Sequence, residues 1–382
     1  MTDVYFISAV RSPIGIGKPE SGALWPLQPV DLAASVLTEA VRQAGIPPDA
    51  VEDVILGCVT PIGDQGGNIA RLSALQAGFP QAVPGVSLNR MCGSGQQAVH
   101  FAAQAILAGD MDLVLAGGIE MMSHQPLGKD YPAEWPRGLP FALVHQGVSA
   151  EMLAECWHLR RDQLDDFAFE SHQRAGHAIE AGVFTSQILT QHVSQADGQA
   201  RDVLHDQGVR RPPDRQKMRD LKPVFKPDGV VTAGNSSQVS DGAAALLVAS
   251  ERAVHEHNLK PLARIVARIA VGSDPVLMLD GPIPATRKVL ERAGLRLDEI
   301  DLFEVNEAFA CVPLAWLQEY PVDPLKLNPH GGAIAHGHPL GATGAVLMTK
   351  LVHALQRTSG RYGLQTMCIG HGMATATILE RL

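Results

Sequence analysis

Basic residues are in the minority: 31 Lys and Arg stand against 40 Asp and Glu in 382 residues, a net charge of −9. No broad cationic face follows from that balance, so a protein built to grip nucleic-acid phosphates is excluded. A local cationic pocket for a phosphorylated small molecule is not. Cysteine is scarce as well. The five present (Cys58, Cys92, Cys156, Cys311 and Cys368) are too scattered for a disulfide framework, and none form a CxxC pair, so neither a disulfide scaffold nor a structural zinc site is expected. No apolar run approaches the roughly 18 residues a membrane-crossing helix needs. The Met1–Phe6 stretch lacks a basic region ahead of an apolar one and reads as a first strand, not a signal peptide. Glu380-Arg381-Leu382 is not the usual peroxisomal address. A reducing, cytoplasmic setting is the expectation. No Gly-x-Gly-x-x-Gly follows the first strand, and His336 and His338 have no carboxylate nearby in sequence. Dinucleotide binding and metal catalysis are therefore not expected.

What is present is a globular balance, 46% hydrophobic and 19% charged, with 37 glycines gathered in short motifs. Residues Val4 to Val10 read as a strand. Asp31 to Ala44 reads as a helix, because Leu32, Ala33, Val36, Leu37, Ala40 and Val41 keep one stripe on a 3.6-residue repeat, and Gly45 and Pro47 end it. Strand-like Val51 to Leu56, helical Ser94 to Leu107 and strand-like Asp112 to Ala116 continue the rhythm, which predicts a mostly parallel sheet covered by helices. From Glu120 to Val231 the character changes. Met121 to Phe141 is rich in proline and turn residues, Val148 to Val183 reads as helical and polar on one face, and Gln191 to Asp228 is charged and proline-rich. Strand signal returns at Ala243–Ala249, Ile265–Val271 and Ile300–Val305. A slight duplication shows in two glycine turns that open helices, Cys92-Gly93-Ser94-Gly95 and Gly341-Ala342-Thr343-Gly344.

Four segments carry candidate chemistry. Asn89 to Gly95 sets Cys92 just before a helix start, where the dipole and free N–H groups favour a thiolate; the alternative is a small buried hydrophobe at a tight turn. Asn328 to Gly341 is too dense in Gly, His and Pro for a helix, and a histidine there either acts as a base or is incidental to a glycine turn. Glu304 to Phe309 ends a strand in polar groups, with a helix cap by Asn306 as the plain reading. Cys368-Ile369-Gly370-His371-Gly372 is either reactive or a last-strand cysteine beside a turn.

In this order and at these separations the segments resemble the thiolase family, through Cys-Gly-Ser-Gly, Asn-Glu-Ala-Phe, Gly-His-Pro and a late Cys-x-Gly. The likeness extends to Ala9–Gly15, Ala116–Ser123, Thr232–Ser237 and Asp241–Ala244. The resemblance implies an α/β fold: a five-layered α/β/α/β/α sandwich. Residues 1–119 with 232–263 would form one core half, 264–382 the other, and 120–231 an inserted loop domain. It also implies cleavage of a 3-oxoacyl-CoA by CoA. Cys92 would take the acyl group, His338 activate it, Cys368 protonate the acetyl-CoA carbanion and Asn306 hold a water at one oxyanion site. The N–H groups of Cys92 and Gly370 would form the second oxyanion site. For CoA it implies Ser237 and His145 near the pantetheine arm, Ala308 and Phe309 along the acyl channel and Arg210 at the nucleotide end, with Lys222 and Arg219 as rivals. Implied too are CoA as substrate with no bound cofactor or metal, acyl-CoA thioesters as the only other partners, and a homodimer or homotetramer. Alternatives are an acetoacetyl-CoA-forming enzyme, a decarboxylating ketoacyl synthase, which the late cysteine opposes, and an inactive acyl-CoA-binding relative. The chain departs from the family at His371, usually glycine, at His336, usually apolar, and at Gln146, often methionine.

Overall fold

The computed structural model describes residues 3–194 and 199–382. Met1 and Thr2, at the head of the predicted first strand, and residues 195–198, in the predicted insertion, lie outside the described residues. In chain order the strands are β1 (Val4–Arg11), β2 (Gly15–Ile16), β3 (Asp53–Gly57), β4 (Gly85–Leu88), β5 (Leu113–Met121), β6 (Gln191–Ser194), β7 (Ala200–Val203), β8 (Ser240–Ser250), β9 (Ala263–Gly272), β10 (Leu302–Val305), β11 (Tyr362–Ile369) and β12 (Met373–Arg381). The helices are α1 (Pro29–Ala44), α2 (Ile69–Gln76), α3 (Ser94–Ala108), α4 (Gln146–Cys156), α5 (Arg161–Glu180), α6 (Arg215–Arg219), α7 (Glu251–Glu256), α8 (Pro282–Ala293), α9 (Cys311–Glu319), α10 (Ala333–His336) and α11 (Leu340–Thr358).

The large sheet runs β10-β11-β12-β9-β1-β8-β5-β3-β4. It is mixed, which corrects the mostly parallel sheet predicted from the βαβα rhythm. Only β3–β4, β3–β5 and β10–β11 pair in parallel. The long strand β8 returns antiparallel between β1 and β5, and β12 folds back on β11. Between β9 and β1 the pairing is only Tyr5 with Arg264 and Phe6 with Ala263, so two half-sheets meet at a narrow seam. One other prediction is refined and one corrected. Val148–Val183 is two helices, parted at His158, whose φ of 50° interrupts the turn. The Gly/His/Pro run contains one helical turn, Ala333–His336.

Each half repeats one plan. Gly118 of β5 lies beside Gly57, and Thr366 of β11 beside Val305. Two residues further on stand Glu120 and Cys368, at matching rungs. Likewise Cys92 precedes the first residue of α3 by two positions, and His338 precedes that of α11 by two.

Burial follows the layers. One core joins α1 and α2 to the outer face of the first half-sheet through Leu32, Val36, Leu37, Ile69, Leu115 and Leu247. A second lies between the half-sheets and is built by α3 and α11 with Ala98, Ala102, Ile106, Ala345, Met348 and Leu351. A third covers the second half-sheet with α8 and α9, around Val289, Phe303 and Trp316. The central helices approach closely enough to need glycine: a Cβ on Gly344 would sit 2.2 Å from the Gln96 backbone nitrogen, and one on Gly95 2.9 Å from Gly341 O. This contact brings the start of α3, with Cys92, next to the start of α11, with His338.

Candidate active site

The Cys92 turn is tied locally. Asn89 Oδ1 accepts from the Met91 N–H at 2.7 Å, Ser94 Oγ accepts from the Arg90 N–H at 2.9 Å, and Ser94 donates to Met91 O at 2.6 Å. Met91 takes a left-handed φ of 45° and turns the chain into α3. Cys92 is buried in one cluster with Val59, Met122, Leu340 and Met367. Its sulfur accepts from the Gly370 N–H, its own N–H and the Gln146 side chain, yet burial outweighs all three and pushes the thiol up to about 11. The helix start alone predicted a lowered value; that expectation is corrected. The resting group is a neutral thiol, and its proton has to be taken by a base.

His338, the expected base, stands at the start of the neighbouring central helix. The ring is buried, and desolvation alone pulls it down to about 4, so it is neutral near pH 7. Its Nδ1 is 2.6 Å from Thr343 Oγ1, and the Thr343 hydroxyl donates to Pro339 O at 2.8 Å. That hydroxyl has one proton, so its oxygen accepts from Nδ1–H, which assigns the unprotonated lone pair to Nε2. Asn306 Nδ2 approaches that Nε2 at 3.4 Å. Asn306 does not cap a helix; its N–H donates to Thr366 O, and its Oδ1 is buried without a protein partner. Cys368, on the neighbouring strand, is buried and pushed well up by desolvation first and by the Cys92 sulfur second, so the two thiols are neighbours.

Gly370 lies where a side chain has no room: an added Cβ would come within 2.9 Å of Gln146 Nε2 and of Met91 Sδ. Its neighbour His371 sits at φ 62°, a left-handed conformation that costs a non-glycine residue roughly 1–2 kcal/mol.

His338, Gly370 and His371 open onto one cavity of about 550 Å³, with Met91, Met122 and Leu340 from around Cys92 in its wall. Ser237, Ala308, Phe309, His145, His338 and Gly370 all line it. The Ser237 N–H donates to Ala308 O at 2.9 Å, fixing two walls together. His145 caps α4, accepting the Gly147 N–H on Nδ1 at 3.1 Å, and stacks on Phe225 at 5.2 Å. Arg210 is not brought to this cavity. Its N–H is bonded to His172 Nδ1 at 3.2 Å, which draws its loop against α5, and it lines a separate hollow with His172 and Gly176. Neither Lys222 nor Arg219 lines the cavity.

Sequence reasoning missed several supports. Glu120 is buried and uncharged partners alone surround it: it accepts from the Val59, Thr60 and Gly341 N–H groups and from Gln65 Nε2, at 2.8 to 3.1 Å. It thus bolts the start of α11 to the first half. Glu307 and Asn328 pin the glycine loop: Glu307 accepts from Ser171, Asn328 and the Ile334 N–H. His336 bridges Asp206 Oδ2 at 2.6 Å and His330 O at 2.8 Å, while Arg11 grips the same Asp206. Thr343 had a signal, a hydroxyl five positions after the histidine at a helix start; Glu120 had none beyond its motif.

Models of the thiolase N-terminal domain and the thiolase C-terminal domain match residues 4–252 and 259–381. The chain belongs to the thiolase family. Among curated thiolases, the steroid 3-ketoacyl-CoA thiolase of Mycobacterium tuberculosis is 47% identical, over all of this chain and 95% of that protein. A 3-oxoadipyl-CoA/3-oxo-5,6-dehydrosuberyl-CoA thiolase of Escherichia coli is 42% identical over the full length of both. Among solved thiolase folds, the acetyl-CoA acetyltransferase of Bacillus anthracis superposes with a TM-score of 0.93 at 39% identity, covering 100% of this chain and 99% of that one. Like this thiolase chain, the fold is an α/β sandwich around a large central sheet. Among the described residues, no group of three or more His, Cys, Asp or Glu is arranged to hold a metal ion, and no helix is long and apolar enough to cross a membrane.

Proposed function

We propose that this enzyme cleaves a 3-oxoacyl-CoA with CoA, giving acetyl-CoA and an acyl-CoA two carbons shorter. His338 Nε2 takes the Cys92 proton as the sulfur attacks the ketone carbon. The bond between that carbon and the α-carbon breaks, and the electron pair left on the α-carbon takes the Cys368 proton, releasing acetyl-CoA. The CoA thiol then gives up its proton to Cys368, attacks the Cys92 thioester and leaves with the acyl group; the proton on His338 returns to Cys92. The Gly370 N–H stabilises one developing oxyanion, and His338 with a water on Asn306 stabilises the other.

The observation that carries this reading is the buried His338, its Nε2 left free by the Nδ1–Thr343 bond, at the start of the central helix packed against the one that Cys92 opens. Relatives named 3-ketoacyl-CoA thiolase support it. We take CoA to be a substrate and not a resident cofactor, the chain to act as a homo-oligomer in the cytoplasm, and light scattering to test the assembly. The direct experiment is thiolysis of acetoacetyl-, 3-oxohexanoyl- and longer 3-oxoacyl-CoAs beside Cys92→Ala. Turnover lost in that variant supports the reading; turnover kept in it overturns it.

A further inference from the structure

The cavity has two aromatic walls. On one side Tyr131 lies 5.4 Å from Trp135, and Trp135 lies edge-on to His371 at 5.4 Å. On the other, His145 stacks on Phe225, which meets Phe309 at 6.1 Å. All six rings line the same space. The chain has only four tryptophans and four tyrosines, and one of each stands here. The first wall is the acyl side: His371 adjoins Gly370, whose N–H reaches the Cys92 sulfur, and Trp135 and Tyr131 pack outward from His371 in turn.

His371 holds an imidazole at a left-handed φ of 62°, between Gly370 and Gly372. A strained side chain kept at a reacting centre points to a task for the ring. Trp135 is 41% exposed and Tyr131 37%, so both present open ring surface that an incoming group would cover. Charge is the third observation. Among the described residues, no Lys, Arg, Asp or Glu lines the cavity. Two of its polar side chains are committed elsewhere: Gln238 Nε2 donates to Gly208, Ile334 and Ala335 carbonyls, and Ser236 donates to Thr232 O. A carboxylate at the far end of an acyl chain finds no fixed cation, and burying it unpaired is costly.

Resting on the thiolase reading above, we propose that the acyl chamber takes a neutral, ring-bearing acyl group packed against Tyr131, Trp135 and His371, with Trp135 and His371 as the residues that select it. Edge-to-face and offset contacts with such walls favour a flat ring over a flexible chain.

The test is a panel of 3-oxoacyl-CoAs: acetoacetyl, 3-oxodecanoyl, 3-oxo-5-phenylpentanoyl and 3-oxoadipyl. The expected result is a kcat/KM for the phenyl substrate at least tenfold above the straight-chain and dicarboxylic ones. In Trp135→Leu and His371→Gly the ratio of phenyl to 3-oxodecanoyl turnover should fall about tenfold, and Trp135→Phe should restore most of it. Preference for 3-oxodecanoyl- or 3-oxoadipyl-CoA, or an unchanged ratio in folded variants, overturns the proposal and leaves the thiolase reading standing. If no member of the panel is cleaved, the thiolase reading itself fails.

Discussion

In the second half of the molecule β11 reaches β12 through Gly370, His371 and Gly372; in the first half the same step, β5 to β8, takes residues 122–239. The central strands and helices of the halves follow one plan, but matching places carry different chemistry. The position two before the central helix is a thiol in the first half, Cys92, and an imidazole in the second, His338. The matching rung at the strand end is Glu120 in the first half and Cys368 in the second. In the proposed reaction one half supplies the nucleophile and the cover over the cavity; the other supplies the base, the thiol that protonates the departing carbon and the Gly370 N–H. That division puts the site where the starts of the two central helices meet, since Cys92 comes from one half and His338 from the other.

The largest expected effect sharpens that division. Cys368→Ala should lower thiolysis of a 3-oxoacyl-CoA by about 10³-fold or more, since it removes the proton for the departing carbon, yet acyl transfer from a saturated acyl-CoA onto Cys92 should persist. Rates of the two half-reactions check it. If both collapse together in a folded variant, the two thiols do not divide the work.

Next comes pH. His338, His172 and His330 are pulled down to about 4 and His100 to about 3, by burial first in each case. Their unfolded values are higher, near 6.5, so between about pH 6.5 and 4 the unfolded chain binds more protons and stability falls as pH falls. His338 alone contributes roughly 3 kcal/mol to this slope at about 1.4 kcal/mol per pKa unit. Urea midpoints against pH for wild type and His338→Asn should converge toward pH 4; parallel curves would contradict the buried neutral ring.

Glu120→Gln attacks the first half's structural counterpart of Cys368. It turns an amide donor toward the N–H groups of Val59 and Gly341 or of Thr60, leaving at least one buried donor unpaired, for a loss of about 1–3 kcal/mol in unfolding free energy. An unchanged urea midpoint would mean the carboxylate is not the bolt between halves. The smallest expected effect is Thr343→Val, which frees the His338 tautomer: kcat should fall about tenfold, with KM nearly unchanged. A rise in KM alone would instead assign Thr343 to substrate binding.

Much of this site was legible in the chain. Cys92, His338 and Cys368 sit in short motifs whose glycines and prolines force turns, Asn306 follows directly on a strand end, and turns at element ends are local properties. What depended on distant packing was not legible. The dipole at the start of α3 argued for an acidic thiol, but burial by Met122, Leu340 and Met367, far apart in sequence, reverses the sign. The alternating rhythm could not show that β8 inserts antiparallel between β1 and β5. Tyr131 and Trp135 fall in a proline-rich stretch with no periodicity, so nothing local marked them as cavity walls. Arg210 lines a hollow separate from the cavity, where the His172 ring holds its backbone, a placement that no local signal in the sequence marked.

The central claim is that the acyl group travels on Cys92. Enzyme mixed with a 3-oxoacyl-CoA in the absence of free CoA, then digested and weighed peptide by peptide, tests it most directly. The account predicts an acyl mass increment on the peptide bearing Cys92 and none there in Cys92→Ser. An increment on Cys368 instead, or on neither thiol while acetyl-CoA is still released, would contradict it.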